Sequence, residues 1–225
     1  MNFFNNVIRF FQDGGSFMLP IAVVLVIGIA IAIERWIYLS YATQTNRKAF
    51  NQILPLLKKK DYSAIVKMGQ SNGAPVSRMV AAGVIRMSES PRRDDIELAM
   101  EEGVLETMPM LEKRTGYLAT LANIATLLGL LGTIIGLIAA FTAVANADPA
   151  EKASLLSSSI SVAMNTTAFG LISAIPLLLA HALLQTKTTE ITDSLEMAGV
   201  KCLNVLAGGG SAKTRAGDPG SRVNL

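Results

Sequence analysis

Threonine and asparagine side chains are the candidate functional groups of this chain, because they lie in long stretches that contain no charged residue. Thr126 and Thr133 are seven residues apart, so they share one face of a helix at about 100° per residue. A hydroxyl in a membrane helix often bonds only a carbonyl of its own helix. The clustering of six such groups in two neighbouring stretches instead favours a polar lining for an ion. The six are Asn123, Thr126, Thr133, Asn165, Thr166 and Thr167, and all except Asn123 form the predicted ion pathway.

The stretches that hold these groups are long enough to cross a lipid bilayer. Residues 16–33, 115–147 and 153–186 contain no Asp, Glu, Lys or Arg, and a helix needs roughly 20 apolar residues to span the hydrocarbon core. Of the 225 residues, 51% are hydrophobic and 16% are charged, whereas soluble domains carry about 25% charged residues. The sequence predicts an all-α membrane protein with three transmembrane helices. Their predicted bounds, with cytoplasmic extensions on the last two, are 16–39, 115–146 and 153–200.

The basic residues predict the orientation of these helices. Thirteen of the 20 lie between Glu34 and Arg114, whereas only Arg9 precedes the first span and only Lys152 separates the second from the third. Basic residues concentrate on the cytoplasmic side of membrane proteins. We therefore predict an N-terminus outside the cytoplasm, and a loop over 40–114 and a C-terminus inside it.

The segments outside the spans differ in their patterns. Residues 1–12 repeat aromatic and aliphatic side chains at helical spacing, which predicts an amphipathic helix on the outer surface. The loop over 40–114 has several helical repeats, and its last helix is expected to continue into the second span with at most a kink at Pro109. Residues 207–225 are rich in glycine and poor in apolar residues, which predicts a disordered tail.

Small residues form a strip along the second span. Gly132, Gly136 and Ala140 are spaced by four residues, and small residues let membrane helices approach closely. The strip, which also includes Gly129, fits packing of the second span on the third, packing between subunits, or both, and Gly170 is a further predicted packing residue on the third span. The third span is small or polar on two opposite sides, and a helix of that kind needs neighbours on both. We therefore expect a homo-oligomer.

The stretches 16–33, 115–147 and 153–186 contain no Asp, Glu, Lys or Arg, so the membrane-crossing part of the chain lacks the carboxylate that a proton relay normally uses. His181 lies near the cytoplasmic end of the third span, where a histidine is more often an interfacial hydrogen-bonding group, and its role stays open. No catalytic, metal, nucleotide or nucleic-acid motif is present. The sequence thus predicts neither an enzyme nor a cofactor or metal site, and any carboxylate on the ion route must come from another chain.

Two segments together resemble the spans of the ExbB/TolQ/MotA proton-channel family, and the ExbB/TolQ branch more than the four-span MotA branch. The first runs from Leu127 to Gly136 and is followed by Phe141, and the second runs from Ile160 to Leu171 and is followed by Ala174-Ile175-Pro176. The order of the segments and the topology match the family as well. The resemblance covers roughly residues 10–195.

The resemblance implies a function and a set of partners. Family members look like homopentamers in the bacterial inner membrane, around a pair of single-span ExbD-, TolR- or MotB-type helices. Each partner helix brings a membrane aspartate, and ion flow drives a TonB-like or Tol-type envelope system or a motility machine. Thr133 and Thr167 match the two family threonines that face this aspartate.

Departures from the family pattern leave alternatives open. A proline common in the family is Thr126 here, and a glutamate common five residues before Thr167 is Val162. The pair Thr166-Thr167 resembles sodium-driven stators, so proton and sodium both remain candidates. A motility stator and a passive scaffold for a partner are the alternative functions. A transporter with its own substrate site is disfavoured, because internal repeats and broken helices are not visible in the sequence.

Overall fold

Every regular element of the described chain is a helix. The computed structural model describes residues 14–71, 73–145 and 147–214, with residues 208–214 described by their backbone alone. The six helices are α1 (Met18–Lys59), α2 (Tyr62–Ser71), α3 (Pro75–Glu89), α4 (Arg93–Glu112), α5 (Thr115–Ala145) and α6 (Lys152–Thr214). Three helical segments, carried by α1, α5 and α6, are long and apolar enough to cross a membrane. The predicted all-α fold with three candidate spans is confirmed for the described residues.

The chain divides into two compact units. The described residues of the apolar unit lie within 14–36 and 114–185, and therefore in the first part of α1, all of α5 and the first part of α6. Those of the charged unit lie within 37–113 and 186–214, and therefore in the rest of α1, helices α2 to α4 and the rest of α6. The candidate ion-pathway residues all lie in the apolar unit.

The apolar unit is held together by small residues that allow close helix contacts. A methyl group placed on Gly28 of α1 would lie 2.5 Å from the Cδ2 atom of Leu177 in α6, so glycine leaves room for this leucine. Large apolar side chains point away from these contacts, and Leu127 and Phe141 are 63% and 65% exposed. Such surfaces are suited to lipid or to other membrane helices.

The charged unit has an ordinary buried core, with Ile53, Ile65, Met79 and Ile96 no more than 1% exposed. Gly103 of α4 lets that helix approach α3, because a methyl group there would lie 3.0 Å from the Cα atom of Met79. Asn46 of α1 accepts a hydrogen bond of 3.2 Å from the Val76 N–H. This contact gives a partner to an amide in the first turn of α3, which has no helical partner of its own.

Helix α1 continues far beyond the predicted first span. The span was expected to end at residue 39, whereas α1 reaches Lys59 without a break. Lys60 then has φ of 60°, and the N–H groups of Lys60 and Asp61 bond the carbonyls of Leu57 and Leu56. This is the hydrogen-bond pattern of a Schellman cap. The first part of the predicted loop is therefore an extension of the span helix.

A break separates α4 from α5, so the prediction of one continuous helix is wrong. The Lys113 N–H bonds the carbonyl of Pro109 at 3.1 Å and closes α4. Arg114 then has φ of 64°, in the left-handed region that ends helices. The positive φ angle lies at Arg114, whereas Pro109 remains inside α4.

Helix α6 extends to Thr214, past residue 207 where the sequence predicted a disordered tail. The predicted start of that tail is therefore wrong. Cys202, Leu203 and Leu206 continue the buried face of α6, and a helix that is already formed adds further residues at little cost. Residues 215–225 of the predicted tail, and the predicted surface helix at 1–12, lie outside the described residues.

Candidate functional site

Helices α5 and α6 are in close contact along the predicted glycine strip. A methyl group on Gly129 would lie 3.2 Å from the Cα atom of Gly170, and one on Gly136 would lie 2.9 Å from the Cβ atom of Ala163. A methyl group on Gly170 would lie 2.8 Å from the carbonyl oxygen of Ala125. These residues therefore pack the second span on the third within one chain. Ala140, the last member of the strip, is also buried.

Thr167 connects the two helices across this contact. Its hydroxyl donates a hydrogen bond of 2.8 Å to the carbonyl oxygen of Gly129. The side chain is only half-buried, so the bond lies at the margin of the contact. A threonine hydroxyl has acceptor capacity left when it donates one bond, and this oxygen can still receive a hydrogen bond or contact a cation.

Thr166 lies on a different side of α6 from Thr167. Its hydroxyl is within hydrogen-bond distance of the carbonyl oxygens of Gly14, at 2.7 Å, and Val162, at 2.9 Å. The residue is 2% exposed, and its methyl group occupies the space beside Gly132. The structure therefore places this predicted pathway residue in the packing between α6 and the segment that leads into α1.

Thr126 and Thr133 lie on the same side of the α5–α6 contact as Thr167. Gly132 turns toward Phe17 and Thr166, and Thr133 is one position farther round α5, about 100° away. Thr126 is exposed and Thr133 is half-buried. The side formed by Thr126, Thr133 and Thr167 is called the threonine face below, and it is opposite the side on which Gly14 and Phe17 pack.

The hydroxyls of Thr126 and Thr133 bond carbonyls of their own helix. Thr126 donates to Ala122 at 3.1 Å, and Thr133 donates to Leu130 at 2.6 Å. These are the local bonds that threonine commonly makes in membrane helices. As in Thr167, each hydroxyl oxygen keeps acceptor capacity that can be directed to the surface of the threonine face.

The two asparagines do not join the threonine face as a group. Asn165 is two residues before Thr167, which places it about 200° away around α6. It is half-buried, whereas Asn123 is exposed on α5. Of the five predicted pathway residues, helical geometry thus places Thr126, Thr133 and Thr167 on one side of the α5–α6 contact, whereas Asn165 and Thr166 point elsewhere around α6.

Polar contacts also mark the other end of the apolar unit. Arg114 forms an ion pair of 2.9 Å with Glu34, and both side chains are about half exposed. His181 has its Nδ1 atom 3.1 Å from the carbonyl oxygen of Thr115. Because a carbonyl only accepts hydrogen bonds, Nδ1 must carry the proton in this contact. Glu34 therefore pairs with Arg114, a residue 80 positions away along the chain.

Sequence reasoning missed the contribution of Gly14 and Phe17. These residues precede α1 and gave no signal of a contact with residues of the third span, 152 positions away in the case of Gly14 and Thr166. Across the described ranges, no cluster of His, Cys, Asp or Glu could hold a metal ion. The threonine face consists of neutral hydroxyls and supplies no carboxylate of its own.

Comparisons with known proteins agree with this arrangement. The model of the MotA/TolQ/ExbB proton channel family matches residues 71–197. A Synechocystis protein named as biopolymer transport protein ExbB-like 3 is 29% identical over 74% of this chain and 79% of its own length. A Methanothermobacter thermautotrophicus protein, named as an ExbB homolog of biopolymer transport, is 29% identical over 88% of this chain and 69% of its own.

A third relative comes from the Tol system. The TolQ protein of Haemophilus influenzae is 33% identical over 41% of this chain and 40% of its own length. The family match covers more than half of the chain, and it includes α5 and most of α6, which carry the threonine face. The chain is therefore a member of the MotA/TolQ/ExbB proton channel family, on its ExbB/TolQ branch.

Proposed function

We propose that this chain is a subunit of an ion-driven motor of the bacterial inner membrane that energises biopolymer transport or envelope maintenance. Relatives named for biopolymer transport and for the Tol system support this role. The observation that carries it is the threonine face, where Thr126, Thr133 and Thr167 lie together in a charge-free part of the apolar unit.

The carboxylate of the ion route comes from a partner chain in this proposal. A face of hydroxyls can guide an ion or water but cannot take up and release a proton near neutral pH. An ExbD- or TolR-like single-span protein would supply an aspartate opposite Thr133 and Thr167. Five copies of this chain would surround a pair of such helices, and a TonB-like protein would receive the work. One charge crossing 100 mV releases about 2.3 kcal/mol.

The distribution of basic residues supports an orientation for this motor. Thirteen of the 20 lie between Glu34 and Arg114, which places the charged unit in the cytoplasm. The N-terminus is then periplasmic and the C-terminus cytoplasmic. The threonine face lies at membrane depth, where the partner aspartate must also be.

Protons are the proposed coupling ion, and sodium is the alternative. A sodium site would need several oxygen ligands close together, and the pair Thr166-Thr167 suggested one. The two hydroxyls point to different sides of α6 and bond different carbonyls, those of Gly14 and Gly129. This separation favours protons, and it weakens the case for a sodium-driven motility stator.

The experiment that tests the proposal substitutes the hydroxyls while keeping the shape of the side chain. Thr133→Val and Thr167→Val are introduced into cells that express the cognate partner, and ion-dependent function and complex assembly are both measured. Thr120→Val is the matched control, because Thr120 also bonds a carbonyl of its own helix but lies about 180° from Gly129 around α5. We expect loss of function with normal assembly for the first two variants and normal function for the control.

A passive membrane scaffold is the second candidate. The specific observation in its favour is that Thr126 and Thr133 satisfy their hydroxyls within their own helix. A scaffold needs only the packing contact between α5 and α6. If Thr133→Val and Thr167→Val assemble with the partner and function normally, the scaffold replaces the motor as the account of this chain.

A further inference from the structure

An apolar groove with acidic rims lies in the charged unit, between α3, α4 and α6. It encloses about 450 Å³. Met79, Met100 and Leu203 line its floor, and Glu97, Glu101 and Glu196 line its margins. Two further lining residues are strongly exposed, with Leu105 at 67% and Val200 at 55%. Apolar side chains this exposed in a charged unit indicate a surface that another molecule covers.

The carboxylates of this groove are available for a cationic partner. Within the described ranges, no Lys or Arg side chain lies within ion-pair distance of Glu97, Glu101 or Glu196. The helix that carries two of them is strongly acidic, since α4 contains seven acidic residues and one basic residue. The occupant of the groove should therefore combine positive charge with apolar stems, as Arg and Lys side chains do.

The chain itself carries such a surface in the basic segment that precedes α4. Residues 40–92 contain nine basic and two acidic residues. Arg47 and Lys48 of α1 are exposed, and Asn46 beside them is buried at 5%. These two cations therefore form an edge of α1 that points away from the core of its own unit.

The groove and this edge lie at the same level along the axes of α1 and α6. Lys187 of α6 bonds Ser40 of α1 at 2.6 Å, and the Lys201 Nζ atom lies 6.0 Å from the centre of the Phe50 ring. Glu196 lies between Lys187 and Lys201 on α6. With a uniform rise along each helix, interpolation between the two contacts places it opposite about residue 46 of α1. Rotation about an axis parallel to α1 and α6 keeps this height, so a ring of copies would bring one surface to the other.

We propose that the groove lined by Glu97, Glu101 and Glu196 binds the Arg47–Lys48 edge of α1 from a second copy of this chain. The contact is heterologous, with different surfaces on the two copies, and its repetition forms a ring when the rotation between copies closes. The acidic margins pair with the two cations, and the methionine floor covers their apolar stems. The inference rests on the proposed function, because it requires the ring-forming subunit that function describes.

Disulfide cross-linking between two differently tagged copies tests this contact in the membrane. Both copies carry Cys202→Ala, one carries Gln44→Cys near the cationic edge, and the other carries Leu105→Cys in the groove. A disulfide that joins the two tags can form only between chains. We expect efficient cross-linking, and a decrease of about tenfold or more when Glu97→Lys and Glu101→Lys place like charges together.

Charge exchange supplies the specific control. Arg47→Glu with Lys48→Glu should also abolish the cross-link, and combining both pairs of reversals in every copy should restore it. Lys58→Glu with Lys59→Glu changes the charge equally, but it lies about 15 Å farther along α1 and should leave the cross-link unchanged.

Several results would overturn the proposal, and they separate it from the proposed function. If the chains form an oligomer by native mass spectrometry but Gln44→Cys and Leu105→Cys do not cross-link, the groove contact is wrong while the motor stands. If the acidic reversals prevent capture of the single-span partner and leave the cross-link unchanged, the groove binds that partner instead. If the chain is a monomer in the presence of its partner, both the contact and the ring are wrong.

Discussion

The hydroxyl of Thr166 donates a hydrogen bond to the carbonyl oxygen of Gly14, at a distance of 2.7 Å, although 152 positions separate the two residues. The bond fixes the segment that leads into α1 against α6. The next residue, Thr167, bonds Gly129 on α5. Two consecutive threonines therefore attach α6 to two different neighbours, and only the second contributes to the threonine face.

Removal of the Thr166 hydroxyl is predicted to destabilise the apolar unit. Thr166→Val keeps the branched shape but leaves the buried carbonyl of Gly14 without this donor, which should cost about 1–3 kcal/mol. The unfolding equilibrium of the purified protein in mixed detergent micelles measures this loss. Thr166→Ser retains the hydroxyl, so its free energy of unfolding should decrease less than that of the valine variant. A valine variant as stable as the wild type would show that the bond contributes nothing.

A methyl group added at Gly170, which packs against the glycine strip of α5, is predicted to separate α5 from α6. In Gly170→Ala the new methyl group would lie 2.8 Å from the Ala125 carbonyl oxygen and 3.0 Å from the Gly129 Cα atom. Both neighbours are backbone atoms that cannot turn aside, so we expect destabilisation of about 1–3 kcal/mol and loss of the Thr167–Gly129 hydrogen bond.

The matched control for this change is Gly116→Ala in the same helix pair. No atom lies within 4 Å of a methyl group at Gly116, and alanine is favoured over glycine in a helix by about 1 kcal/mol. Gly116→Ala should therefore be neutral or stabilising in the same unfolding measurement. Equal effects of the two substitutions would contradict the close packing of α5 on α6.

The glycine strip could be predicted from the sequence, because a spacing of four residues places small side chains on one face of a helix. This holds for any segment that packs against that face. Its partner was not readable, since Gly170 within the chain and a second copy satisfy the same pattern. The contact of Gly129 with Gly170 establishes the packing within the chain. The grouping of Thr126 with Thr133 was also predictable, because both lie on one helix and their relative angle follows from the helical repeat alone.

Contacts between segments that are distant along the chain could not be predicted from the sequence. The pair Thr166-Thr167 suggested one shared role, but neighbouring residues of a helix point about 100° apart, and the two hydroxyls bond different segments, at Gly14 and at Gly129. The break at Arg114 was also missed, because its φ of 64° belongs to an arginine rather than to the glycine or asparagine that usually signals a helix end.

Cys202 is predicted to react slowly with thiol reagents while the charged unit is folded. Burial raises the pKa of this thiol from 9.0 to about 11, so it stays protonated at neutral pH. The thiolate is the reactive form. Below pH 9 the thiolate population of Cys202 should be lower than that of a thiol with a pKa of 9.0 by a factor of about 100. Maleimide labelling at pH 8, with and without denaturant, measures the difference.

The control for this labelling is an exposed cysteine in the same unit. Ser63 of α2 is exposed and lies outside the proposed contact between copies, so Ser63→Cys in a Cys202→Ala background should react at the rate of a free thiol in both conditions. Since Cys202 is the one cysteine of the chain, its labelling rate also reports opening of the core around α6. Rapid labelling of the folded wild type would contradict the buried position.

The central claim is that the threonine face conducts the ion that drives the motor, and flux through the purified complex tests it most directly. The chain and its single-span partner are reconstituted into vesicles with a membrane potential, and proton uptake and sodium uptake are measured with separate dyes. We predict proton flux in the wild type and in Thr120→Val, and at least about a tenfold loss in Thr133→Val and Thr167→Val, the reduction expected when a key polar contact of about 1.4 kcal/mol is removed. Unchanged flux in both of these variants, with the complex intact, would contradict the account.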